Sequence, residues 1–129
     1  MQDGILIKRQ FEFEIDTWKR ILTFLSDENI NTKNRLSDIV KDMGNNDGEL
    51  LERIEYFHSC LLKEDEIIDF LYREVLDQQR AALRNNFGLN DALKETTQSQ
   101  ERLRKELEKA RNYFFELNVE FNKYFSEVL

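Results

Sequence analysis

Side chains that are mostly apolar recur along this chain at alternating steps of four and three residues. In the middle third, ten positions follow these steps without a break: Leu50, Ile54, Phe57, Leu61, Glu64, Ile68, Leu71, Val75, Gln78 and Ala82. The same steps connect Phe11 to Met43 and Leu89 to Val128. A mean spacing of about 3.5 residues, sustained over several heptads, is typical of helices packed in a coiled-coil-like manner. The pattern therefore predicts an all-α protein.

The four glycines divide the chain into three stretches of similar length, and proline is absent. Helix interiors tolerate glycine and proline least, so their exclusion predicts helices at about 5–43, 49–86 and 90–128. Glycine- and asparagine-rich segments at 44–48 and 85–88 predict short connections. Short connections place sequential helices antiparallel, so residues 1–129 are expected to form a single domain, an antiparallel bundle of three long helices.

Capping residues mark the helix ends and leave one alternative open. Gly44 is placed to end the first helix, and Asn46 or Asp47 can cap the second. Ser26, at the start of the segment that ends at Asn29, could also cap a new helix. A break there would turn the three-helix bundle into a four-helix bundle.

Polar residues interrupt the heptad positions, and those expected to form layers are Asn29, Glu64, Gln78, Thr96 and Gln100. In a simple antiparallel arrangement, residues lie level where their numbers sum to about 93 across the first turn and about 174 across the second. Asn29 and Glu64 then share a level with Ala110, and Gln78 lies level with Thr96. Two interpretations compete, a polar layer that fixes helix register and a buried site for a ligand or ion. We expect the first.

The same levels predict ion pairs between the second and third helices. Asp65 lies level with Lys109, and Asp69 lies level with Lys105. Exposed pairs contribute only about 0–1 kcal/mol each, so these pairs would select register more than they would stabilise the fold.

The formal net charge of −7 argues against a nucleic-acid partner, which would require a cationic surface. A basic run at 102–111 is interleaved with glutamates, which predicts a salt-bridged helix face. Its Arg111 could also pair with Glu64 if that side chain leaned outward. Most of the negative charge lies on the middle helix, which is compatible with a basic protein partner.

The single cysteine, Cys60, cannot form an internal disulfide, which fits a reducing compartment. No apolar run approaches the ~20 residues of a membrane helix. The first residues lack the order of charges and apolar residues of a secretion signal. We therefore expect a cytoplasmic protein with no membrane contact.

One string could suggest metal chemistry, since Glu55 and His58 have the Glu-x-x-His spacing of di-metal bundle proteins. His58 is the only histidine, so a site of that type would need a symmetric dimer, with Glu64 as a further ligand. His58 and Cys60 are two apart on a helix and face in different directions. No phosphate-binding glycine loop or nucleophile motif is present. We expect no enzyme activity and no cofactor or metal.

Large apolar residues remain outside the heptad positions and exceed what the core needs. Some widen the buried stripe of each helix, whereas others are expected to form an exposed patch that binds another chain. The interaction residues predicted in this way are Phe70, Tyr113, Phe115 and Phe125.

Two segments of the chain, residues 27–37 and 63–68, resemble parts of a group of short helical proteins from gut-type anaerobic bacteria. The resemblance implies a helical fold and a cytoplasmic, bacterial origin, and it implies no activity. The plan of three helices is also similar to that of spectrin-type repeats, including a tryptophan in the first helix, Trp18. That likeness concerns architecture alone, which does not fix function.

Together these observations predict a non-enzymatic helical interaction or scaffolding protein that associates with itself, for example as a homodimer. An acidic regulatory or neutralising partner of a basic protein is the alternative. A dimeric metal protein using Glu55, His58 and Glu64 is a remote third possibility.

Overall fold

A computed structural model describes residues 2–43, 48–84 and 90–128, and almost all of them are helical. The three helices are α1 (Gln2–Asp42), α2 (Gly48–Arg84) and α3 (Asn90–Val128). No strand occurs within these ranges. The all-α, three-helix prediction is confirmed.

The ends of the helices differ from the predicted ends by a few residues. Helix α1 begins at Gln2 and includes Gly4, because a single glycine costs a helix only about 1 kcal/mol relative to alanine and does not by itself end it. Helix α3 begins at Asn90, as predicted. The predicted caps at Gly44, Asn46 and Asp47 lie outside the described residues, as does the segment 85–89.

Helix α1 continues without interruption through residues 26–29, so the four-helix alternative is wrong. Leu22, Leu25 and Asn29 all face the core, and the buried stripe therefore passes straight through this segment. Tertiary packing of this stripe outweighs the local preference of Ser26 and Asp27 for a helix start.

Side-chain contacts show how the helices run relative to one another. Asn29 of α1 hydrogen-bonds Asp65 of α2, and Gln78 of α2 hydrogen-bonds the Thr96 carbonyl of α3. Both pairs match the predicted antiparallel levels. Glu14 of α1 meets Arg104 of α3, and farther along Arg35 meets Asn122, so α1 and α3 run parallel.

The core follows the heptad pattern closely. All ten predicted positions of α2 are buried, including Glu64 and Gln78. Two apolar clusters make up the core, one around Trp18, Leu71 and Leu103 and the other around Phe57 and Phe121. Between them lies the level of Asn29, Thr32 and Glu64. A polar layer therefore divides the core in two.

The pattern shifts near the end of α3. Phe125, predicted as a surface interaction residue, is only 4% exposed and packs against Phe57 and Phe121 at ring-centroid distances of 5.5 and 4.7 Å. Val128, predicted at a heptad position, is 45% exposed. An α-helix has about 3.6 residues per turn, so steps of four from Leu117 to Phe125 follow the core better at this end.

Candidate functional site

The polar layer in the middle of the bundle is built around Asn29. Its Nδ2 donates to the Leu61 carbonyl at 3.0 Å and to the Asp65 carboxylate. Asp65 also accepts a hydrogen bond from Lys33 of α1. On the same level, the Thr32 hydroxyl contacts Asn118 of α3 at 3.3 Å. These bonds tie all three helices together at one height, which fixes their register.

Glu64 is the least satisfied member of this layer. Its side chain is fully buried, and neither carboxyl oxygen has a hydrogen-bond partner among the described residues. Burial, together with the nearby charge of Asp65, raises the pKa of Glu64 to about 7. Arg111 is not its partner, so the prediction of an outward-leaning Glu64 is wrong.

A second polar layer lies toward the other end of the bundle. Gln78 Nε2 donates to the Thr96 carbonyl at 3.1 Å and to Gln100 Oε1 at 3.0 Å. The Gln100 Nε2 group has no partner within the part of the chain that the structure describes. The layer joins α2 to α3 alone, and its geometry is that of a structural contact between two amides.

The residues considered for a metal site do not come together. Glu55 and His58 are exposed on the surface of α2, whereas Glu64 is buried in the core. No group of three or more potential metal ligands occurs within residues 2–43, 48–84 and 90–128. Within one chain Glu64 therefore lies in the core, away from the surface that carries Glu55 and His58.

Cys60 and His58 face apart, as the helix geometry predicts: His58 is exposed and Cys60 is half-buried beside the Phe57 cluster. The Cys60 thiol lies between Tyr56 and Tyr113. A hydrogen bond with the Cys60 thiol raises the pKa of Tyr56. Burial is the larger cause at Tyr113, and together with a hydrogen bond to the same thiol it raises the pKa of Tyr113 to about 12. This arrangement is a packed thiol between two neutral phenols.

Two of the predicted interaction residues, Phe70 and Tyr113, line one groove between α2 and α3. The groove has a volume of about 420 Å³, and Ile67, Leu71 and Ala110 complete its apolar wall. Phe70 is 57% exposed, while Tyr113 is half-buried. We call this surface the α2/α3 groove; its rim carries the charged residues Lys63, Glu66, Glu106 and Lys109.

Phe115 lies on the other side of α3, in a groove shared with α1. This α1/α3 groove has a volume of about 410 Å³ and is lined by Arg20, Ile21, Phe24, Leu25, Arg111, Phe114 and Phe115. Phe115 is 68% exposed. Helices α1 and α3 contact each other least of the three pairs, which leaves this side of the bundle open.

Ion pairs form differently from the predicted pairs. Asp65 pairs with Lys33 of α1 instead of Lys109, and Asp69 pairs with Arg73 on its own helix instead of Lys105. Long exposed side chains reach several partners at nearly equal energy, so level alone does not choose among them. The strongest geometry is the two-bond pair between Arg104 and Glu14, at 3.0 and 2.7 Å.

The sequence did not reveal the α1/α3 groove. The predicted levels give α1 and α3 an offset of about 81 residues, which would place Phe24 level with Lys105. In the structure the contacts of Glu14 with Arg104 and of Arg35 with Asn122 have a larger offset, and this brings Phe24 and Phe115 into one groove.

Comparison of the chain with protein-family models, with curated proteins and with solved structures finds no match. The resemblance to short helical proteins of anaerobic bacteria stays a prediction. No helix within the described residues is both long and apolar enough to cross a membrane.

Proposed function

We propose that this protein is a non-enzymatic interaction or scaffolding protein that associates with copies of itself. The observation that carries the proposal is the pair of aromatic grooves on the two sides of α3, with Phe70 in one and Phe24 and Phe115 in the other. The bundle leaves these large side chains in contact with water.

Removing such side chains from water is favourable by about 25 cal/mol per Å² of apolar surface. Aromatic side chains, phenylalanine among them, are also enriched in protein interfaces relative to the rest of the protein surface. Scattered exposed apolar residues need no explanation, but grouped ones often mark a binding surface. Phe24 and Phe115 come from different helices and line the same groove, so they count as a group.

Sedimentation equilibrium over a wide concentration range tests the proposal. We expect the average mass of the wild type to rise above that of one chain, 15.6 kDa, as the concentration increases. A Phe70→Ser/Phe115→Ser variant should associate at least tenfold more weakly. The matched control is Ile30→Ser/Leu51→Ser, because these two residues are exposed and line neither groove. A wild type that stays monomeric at high micromolar concentration would refute self-association.

The second candidate, an acidic partner of a basic protein, is favoured by one observation. The segment 48–84 carries nine acidic and five basic side chains, and Glu52, Glu55 and Glu66 point outward from α2. A basic protein that binds this face should lose affinity steeply as salt is added. Binding that is unchanged by salt would count against this function.

A further inference from the structure

We propose that the α1/α3 groove binds the outer face of α2 from a second copy of this chain, so that the copies assemble head to tail. This inference rests on the proposed self-association and names the two surfaces that form it. The groove is apolar and basic, and the outer face of α2 is apolar and acidic.

The basic surface is the α1/α3 groove itself. Phe24 and Phe115 are exposed there, and the only charged side chains that line it are Arg20 and Arg111. Neither guanidinium has an acidic partner in the described ranges; Arg20 only donates to the Asp16 carbonyl of its own helix, at 3.4 Å.

The acidic surface is a ridge on α2 formed by Glu55, Leu62 and Asp69, which we call the α2 ridge. The three residues are seven apart, so they lie along one face of the helix. All three are exposed. Asp69 forms one exposed ion pair, with Arg73 at 3.6 Å. Such a pair contributes little to stability, so Asp69 can give it up for a partner on another chain.

The two surfaces complement each other in charge. In the groove each arginine lies four residues, about 6 Å, from an exposed phenylalanine of its own helix, and on the ridge each carboxylate lies seven residues, about 10 Å, from Leu62. Arginine pairs strongly with carboxylates because its planar donors match two carboxylate oxygens. Bringing the ridge into the groove would therefore cover apolar surface on both copies and place a carboxylate next to Arg20 and Arg111, which have no acidic partner within the described residues.

The placement of the surfaces sets the kind of assembly. In a three-helix bundle the outer face of α2 lies opposite the groove between α1 and α3. A copy that accepts a ridge in its groove still presents its own ridge. Contacts between two different surfaces do not end at two subunits, so they build rings or open chains. An open chain of this kind would give a scaffold longer than one bundle.

The α2/α3 groove is the main alternative for contact between copies, through a two-fold dimer. Its rim carries two lysines and two glutamates, so it offers no net charge to a partner. Lys109 and Glu106 already pair with each other at 3.9 Å. The charges therefore favour the α1/α3 groove and the α2 ridge.

Charge reversal tests the proposal. The groove variant is Arg20→Glu/Arg111→Glu, and the ridge variant is Glu55→Arg/Asp69→Arg. Each variant alone brings like charges together, so we expect association to weaken at least tenfold. Mixing the two variants restores opposite charges at every contact, and we expect the mixture to assemble about as tightly as the wild type. Sedimentation velocity measures the mass in each case, after circular dichroism has shown that both variants fold.

The control variant is Lys94→Glu/Lys105→Glu, which changes the net charge as much as the groove variant does and alters neither surface. It should associate like the wild type. A wild type that associates, but whose groove variant is unaffected, would overturn the head-to-tail contact and leave self-association standing. Two weakened variants that do not rescue each other would also overturn it. A wild type that stays monomeric would overturn self-association itself.

Discussion

Glu64 is a carboxyl group enclosed by the bundle without a hydrogen-bond partner among the described residues. Its pKa is raised from 4.5 to about 7 in the folded protein. Between these values the folded protein holds a proton that the unfolded chain has released. The contribution of Glu64 to stability is therefore greatest below about pH 4.5 and falls by roughly 3 kcal/mol as the pH rises to about 7.

Glu64→Gln removes this dependence, because the amide has the same shape and does not ionise. We expect the variant to be more stable than the wild type at pH 8 and to lose the advantage near pH 4.5. Urea unfolding followed by the fluorescence of the buried Trp18 measures the difference at each pH. Glu66→Gln, an exposed change on the same helix, is the control. Parallel curves for Glu64→Gln and the wild type would contradict the assigned pKa.

Phe57 is the residue on which the aromatic half of the core depends. It is fully buried and contacts Phe121, Tyr124 and Phe125. Phe57→Ala should lower the free energy of unfolding by about 3–5 kcal/mol, since it leaves a cavity among rings that cannot close on it. Phe13→Ala on the exposed face should change it by less than about 1 kcal/mol. Thermal unfolding measures both variants. If Phe57→Ala and Phe13→Ala lost similar amounts of stability, Phe57 would not be central to the core.

At the scale of the helix, the continuity of α1 can be tested with proline. In a continuous helix Asp27→Pro removes a hydrogen bond and clashes with the preceding turn, which costs about 3 kcal/mol or more. If a new helix began after Ser26, proline would instead occupy the first position, where it is favoured. We expect strong destabilisation in chemical unfolding relative to Asp27→Ala. A proline variant as stable as the alanine variant would indicate a break.

The layer formed by Gln78 and Gln100 tests whether the polar positions serve structure. Gln78→Leu leaves the buried Gln100 carbonyl without its donor, which should cost about 1–3 kcal/mol. Adding Gln100→Leu removes the stranded amide, so the double variant should recover part of the loss. A double-variant cycle in urea unfolding measures the coupling. Fully additive losses would show that the two amides do not act as a pair.

The heptad pattern was sufficient to predict the helices and the buried face of α2. The spacing of apolar residues determines which side of a helix is buried, and all ten α2 positions with this spacing are buried. The levels of Asn29 and Gln78 followed from helix rise and short connections alone. Partners of exposed charges such as Asp69 could not be predicted, since several basic side chains lay within reach. Phe125 was misplaced because a rule with a period of 3.5 residues drifts against a helix with 3.6.

At the scale of the whole molecule, three helices of 37–41 residues form a rod about 60 Å long. A rod has a large surface for its mass, and here that surface holds grouped aromatic side chains on both sides of α3. Association along the rod would cover them. The opposite charges of the α1/α3 groove and the α2 ridge make this association sensitive to salt, because exposed charges are screened beyond about 8 Å at physiological ionic strength.

Small-angle X-ray scattering over a concentration series, at low and at high salt, tests the central claim most directly because it reports mass and shape together. Self-association predicts a mass that rises above 15.6 kDa with concentration, with particles larger than a single ~60 Å rod and smaller at high salt. A mass that remains that of one chain, with the dimensions of one rod at every concentration, would contradict it.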